Sequence, residues 1–107
     1  MVVLIVSRKS MSELILSKIA KHIDVAKAID YYKLHKDGYR ESKEVIAEAK
    51  RVKADSAIVV ANFKLACELL SSGCKTIIVL IPLMVDHAEI VKAQVFKLEG
   101  KLKLEKL

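Results

Sequence analysis

Ser7-Arg8-Lys9-Ser10 puts two cations and two hydroxyls directly ahead of a segment patterned as a helix. Free N–H groups and the positive end of the helix dipole favour an anion at such a place. The chemistry on offer is phosphate binding. The quartet lacks both G-x-G-x-x-G and G-x-x-x-x-G-K-[ST], so it is not a glycine-rich phosphate loop of either kind. The plainer roles are solvation for Arg8 and Lys9 and a helix cap for Ser10. His35, Lys36 and Arg40 form a second basic group, and Asn62 follows an apolar run that reads as a strand. Asn62 also suits the N-cap of the next helix.

Other chemistries find fewer residues. His35 and His87 could move protons or bind metal, though a single loop histidine usually does neither; His22 suits a helix C-terminus. Tyr31, Tyr32 and Tyr39 flank Lys33, Lys36 and Arg40. Tyrosines among lysines can stack on bases, although one of three would ordinarily pack in the core. A metal-dependent nuclease needs converging carboxylates for Mg²⁺ or Mn²⁺. Glu44 and Asp86 are the pair such an enzyme would use, with Glu41 nearby, but the tips of the first and third strands carry no acid. No serine or cysteine nucleophile has a positioned histidine. Cys67 and Cys74 match no zinc or redox spacing and read as reduced thiols. The expectation is therefore no resident cofactor and no metal.

The elements that must position these residues are read from apolar patterning. Val2 to Val6 is a buried strand. Ser10-Met11-Ser12-Glu13 has capping-box spacing with Ser10 as cap, and the helix runs to about His22, its stripe being Met11, Ile15, Ile19 and Ile23. A shorter strand near the sheet edge spans Ala28 to Leu34. Glu41 to Val52 is a helix with Val45, Ala49 and Val52 on one face. Ala57 to Ala61 and Thr76 to Ile81 are strands buried on both faces, and the helix between them stops at Gly73. Together they make a right-handed βαβ unit. Pro82 closes the fourth strand. Asp86 and Glu89 have capping-box spacing for a fourth helix to about Gln94. In the tail, Val95, Lys97, Leu102, Lys103 and Leu104 alternate, and Glu99-Gly100 can turn a hairpin. The expected fold is a single α/β domain over residues 1–107. It is a three-layer sandwich around a mostly parallel sheet in βαβαβαβα order, with a short C-terminal β hairpin or strand. In open parallel sheets ligands bind beyond the carboxyl ends of the strands. That rule selects Ser7 to Ser10, His35 to Asp37, Asn62, and, after the fourth strand, Pro82, Asp86 and His87.

The chain has 107 residues, 53% of them hydrophobic, and a formal charge of +6 from 19 Lys and Arg against 13 Asp and Glu. That length buries roughly two-thirds of its unfolded surface. Many Lys and Glu beside one Asn and one Gln resemble a hyperthermophile composition. The apolar start is too short for a signal peptide, and no run reaches membrane-spanning length, so a cytoplasmic protein without membrane contact is expected. A basic excess favours a polyanion partner.

AIVVANFKLACELLSSGCKTIIVL, with GYRESKEVIAEAKRVKADS before it and VFKLEGKLKLEKL after it, resembles the PIN-like ribonucleases, including the small toxin-type members. The resemblance covers nearly the full chain. It implies a Rossmann-like domain that acts on RNA through metal-binding acids. Those acids would fall near Val6 or Ser7 and at Asn62 or Phe63, where this chain has none. Only Glu41 or Glu44 has a counterpart. A second resemblance, VVLIVSRKSMSELIL, is to the archaeal Alba family of chromatin proteins and covers about the first half of the chain. It implies nucleic-acid contact by the basic pair after the first strand. The combined expectation is a basic, non-catalytic domain that binds RNA or DNA, with Arg8, Lys9, Lys36 and Arg40 on phosphates. The alternatives are a residual metal-dependent ribonuclease and a homo-oligomeric interaction module, a dimer being expected.

Overall fold

A computed structural model describes residues 2–100 and 103–107. The apolar run at the N-terminus is β1 (Val2–Val6), flanked in parallel by β3 (Ala28–Asp30) and β4 (Ala54–Val60). β5 (Thr76–Asp86) pairs in parallel with β4 and antiparallel with β6 (Glu89–Glu99). β2 (Ser10–Met11) and β7 (Lys103–Lys106) share the outer edge of β6, one at each end. The strand order is β2-β6-β5-β4-β1-β3.

Strands with neighbours on both sides and helices on both faces have no wet side, so their apolar runs need not alternate. Successive residues enter opposite cores. Leu4, Ala57 and Ile77 meet α3 (Ser42–Arg51) and α4 (Phe63–Ser71) through Val45, Ala49, Leu65 and Leu69. Val3, Ile58 and Ile78 meet α1 (Glu13–Ala20) through Ile15 and Ile19, and Met11 and Ile23 complete that stripe at both ends. Truncating a fully buried Ile58 to Ala would cost about 2–5 kcal/mol. Among the described residues no helix is long and apolar enough to cross a membrane, and Cys67 and Cys74 are free thiols.

The expected three-layer sandwich around a mostly parallel sheet does not form. Among the described residues the sheet is mixed, with seven strands against four helices, and the fourth helix anticipated from Asp86 to about Gln94 is absent. Its place is taken by a hairpin of two 11-residue strands. Two physical reasons account for this. First, Pro82 does not end its strand. The carbonyl of Leu80 accepts from Ala61 on the β4 side. Backbone groups alternate along a strand, so the position of Pro82's missing N–H also faces that side, where β4 has already ended. No ladder bond is lost, which is where proline is tolerated in a sheet. Leu83 and Val91 drop out of register beside it, and the two shifts cancel. Second, His87 and Ala88 adopt φ of 48° and 62°. A turn with two positive φ values matches strand twist and closes a two-residue hairpin.

Two smaller boundaries also move. Ser10 is drawn into β2 by pairing with Glu89, and Ser12 caps α1 instead, accepting from the Ile15 N–H at 3.4 Å. The strand expected over Ala28 to Leu34 stops at Asp30, whose carboxylate accepts from the Tyr32 N–H at 2.9 Å and starts α2 (Tyr31–Leu34). β3 does lie at the sheet edge. The tail forms a β6–β7 hairpin after Glu99, with Leu98 opposite Leu104. All four residues of β7 are exposed, while Val95 and Leu98 on the β6 arm of the same hairpin are buried. Leu102, part of the expected alternation, lies outside the described residues.

Candidate functional site

The carboxyl ends of β1 and β4 open into a cleft of about 310 Å³. Val6 and Val60, the last residues of those strands, line its middle, and the loop after β1 contributes Ser7, Arg8 and Lys9. Tyr32 and Tyr39 follow β3, while Pro82 and Val85 belong to β5. Because β3 and β5 lie on opposite sides of the β1–β4 pair, the tyrosines and the Pro82–Val85 segment form facing walls. Among the described residues, none that line it carries a carboxylate.

The loop after β1 is built by Ser7. Its buried hydroxyl donates to the Lys9 carbonyl at 2.6 Å and accepts from the Lys9 N–H at 3.2 Å. That hydroxyl is spent on its own loop, and its effect is to hold Arg8 and Lys9 outward, both exposed. The Arg8 guanidinium lies over the Tyr32 ring, 4.5 Å from its centroid. Such a pair contributes about 0.5–1 kcal/mol where water has access. Burial pushes the Tyr32 phenol above its ordinary value, with Tyr39 adding to the rise and Arg8 opposing it, so the ring stays neutral.

The aromatic wall is fixed from behind. Tyr31 is buried and meets Tyr32 and Tyr39 edge-on, with centroids 5.5 and 6.0 Å away. Tyr39 accepts a hydrogen bond from the Asn62 Nδ2 at 3.1 Å, while Asn62 Oδ1 accepts from the Leu65 N–H at 3.0 Å. Asn62 therefore caps α4, as its type suggests, and steadies the wall at the same time. The residue before it, Ala61, turns the chain from β4 into α4 at φ 53°. A non-glycine residue there costs about 1–2 kcal/mol.

Of the sequence candidates, Ser7, Arg8 and Lys9 line this cleft and Asn62 supports it. Ser10 does not join them, because it lies in β2 and its N–H donates to the Ala88 carbonyl at 3.2 Å. His35 turns away. Its Nε2 hydrogen-bonds the buried Glu48 carboxylate and its ring packs 4.6 Å from Tyr31. Lys36 is exposed on the loop after α2. Arg40 lies in a separate depression with Glu41, Ser42, Lys43, Lys64 and Glu68. Tyr32 and Tyr39, two of the three tyrosines that the sequence offered for base stacking, line the cleft, and Val60 and Val85 were not named. Val85 could not be found without knowing that β5 continues past Pro82.

The nuclease pair is placed differently. The Glu44 carboxylate accepts from the Glu41 and Arg40 N–H groups at 2.8 and 2.7 Å, closing the capping box of α3, and these bonds hold its pKa below the ordinary carboxylate range. Asp86 ends β5 beside His87, both well exposed. Among the described residues no group of three or more His, Cys, Asp or Glu could hold a metal ion.

No family model, curated protein or solved structure matches this chain. The chemistry of the cleft is carried by its own residues: two cations, a fixed aromatic wall, an apolar wall, and no acid.

Proposed function

We propose that this is a small basic domain that binds nucleic acid at the cleft between β1, β4 and the β5 arm, without cleaving it. The supporting observation is that Arg8 and Lys9 line an acid-free cleft together with Tyr32 and Tyr39. Arg8 and Lys9 contact phosphates, and Lys36 and Arg40 extend the positive surface around them. The PIN-like family reading goes with this proposal as a member without its metal acids: Val6 or Ser7 and Asn62 or Phe63 stand where the resemblance places them. Cleavage by Glu44 and Asp86 is the less favoured reading, since Glu44 is committed to its helix cap.

The test is fluorescence anisotropy of a labelled single-stranded RNA. Four phosphate contacts should lower affinity about 50-fold between roughly 50 and 200 mM salt, and two contacts about 7-fold. The double variant Arg8→Ala, Lys9→Ala should weaken binding similarly for unrelated sequences and flatten the salt dependence. Unchanged affinity in that variant would exclude this cleft as the phosphate site.

A second reading has its own observation. Leu83, Met84 and Val85 are consecutive, apolar, and 55%, 57% and 43% exposed on the β5 arm. They favour an interaction module that pairs with a second copy of this chain, and such pairing is compatible with nucleic-acid binding.

A further inference from the structure

We infer that the cleft takes one nucleotide with its base unpaired, so that the domain selects single strands over duplexes. This rests on the nucleic-acid proposal and names which part of the ligand enters. Arg8 and Lys9 alone would suit any phosphate. The two walls require something more, because an isolated phosphate gains nothing from Tyr32, Tyr39, Pro82 or Val85. A flat, neutral, polarizable ring does, and a nucleotide joins such a ring to an anion.

The geometry is set before any ligand arrives. A Cβ on Gly38 would sit 2.6 Å from the Arg8 terminal nitrogen and 3.1 Å from Tyr32 Cε1, and Gly38 has φ 77°. The chain thus closes tightly over the Arg8–Tyr32 pair, at a position where both space and backbone call for glycine. The guanidinium lies on the Tyr32 ring, and both groups line the cleft that a base would enter. Pre-set walls reduce the ordering cost of binding. A cleft of about 310 Å³ lies at the small end of ligand sites, enough for one nucleotide unit and too small for a paired one. A base inside a duplex keeps both faces stacked on its neighbours and cannot enter.

The groups that could read a base edge are few. The Ser7 hydroxyl is engaged within its own loop, and Tyr39 accepts from Asn62, which leaves only its own O–H to donate. Recognition is therefore by stacking, which every base supports, and discrimination among sequences is weak.

The experiment uses the chain's own emission. It has three tyrosines and no tryptophan, and two of the three line the cleft. Tyrosine fluorescence is followed while AMP, inorganic phosphate, a short single-stranded RNA and its duplex are added to the wild-type protein. AMP and the single strand should quench, inorganic phosphate should not, and the duplex should bind at least tenfold more weakly. Tyr32→Leu should lower single-strand affinity roughly tenfold with its salt dependence intact, and Tyr32→Phe should restore it. If the duplex binds as tightly as the single strand and Tyr32→Leu changes nothing, the base slot is wrong while the phosphate proposal survives. If AMP quenches and no RNA binds, the slot stands and the polynucleotide proposal falls. Absence of both quenching and RNA binding at low salt overturns the two together.

Discussion

Glu48 and Ser7 are the polar side chains buried among the described residues, and each is fully engaged. Glu48 receives the His35 Nε2 on one oxygen and the Arg51 guanidinium on the other. Burial alone would raise its pKa, but Arg51 and His35 outweigh it and hold the carboxyl below the ordinary 4.5. A folded-state pKa below the unfolded one stabilises the fold above the unfolded value, and the gain is lost as pH falls through the folded one. Glu48→Gln should therefore cost about 1–2 kcal/mol at pH 7, and the difference from wild type should shrink towards pH 3. Urea unfolding at both pH values checks this, and an equal difference at both would mean that charge is not what Glu48 contributes. Ser7, His35 and Asn62 were legible as polar residues near strand tips. Their partners were not, because Glu48 is 13 residues from His35 and Tyr39 is 23 from Asn62. Residue type suggested anion binding, whereas a long-range contact assigns His35 to the fold and a local one, two residues on, assigns Ser7 to its own loop.

Among the elements, the β5–β6 hairpin departs furthest from sequence expectation. Apolar runs marked its start correctly at Thr76. Its far half was hidden because the turn carries none of the usual residues. Asn-Gly would have announced it, but His87-Ala88 did not, and Asp86 with Glu89 imitated a helix cap. The helices α3 and α4 were legible because their signals are local: one apolar face for α3, and the Asn62 cap for α4. Two non-glycine residues at positive φ carry strain that glycine and asparagine would relieve. His87→Asn with Ala88→Gly should raise stability by about 1 kcal/mol after the entropy of the added glycine is subtracted. In a domain of this size that is a rise in Tm of about 4–8 °C. A fall in Tm would show that the His87 and Ala88 side chains contribute more than the turn geometry does.

At the scale of the molecule, parallel pairing around β1 was readable from runs of β-branched residues, and mixed pairing was not. Periodicity reports whether a face is buried and says nothing about strand direction. The rule about strand carboxyl ends pointed to the side built by β1 and β4 and, from β5, to Pro82, which also lines the cleft. The wall from β5 exists only because that strand outruns β4. The same overrun exposes Leu83 and Met84. In sedimentation velocity the wild type should shift towards twice its monomer mass as concentration rises, and Leu83→Asp with Met84→Asp should abolish the shift. A wild type that stays monomeric throughout removes the pairing proposal.

Pro82 sets the terms on which anything can meet this arm. An unpaired strand is ordinarily a template: another chain can add to it, then another, towards fibres. Here the free edge lacks its donor at Pro82 and is bent out of register at Leu83. A visiting strand would find the ladder broken at its first rung. Partners must recognise the arm by shape and side chain, and runaway sheet growth is blocked at this edge by a residue whose type alone suggested the end of a strand.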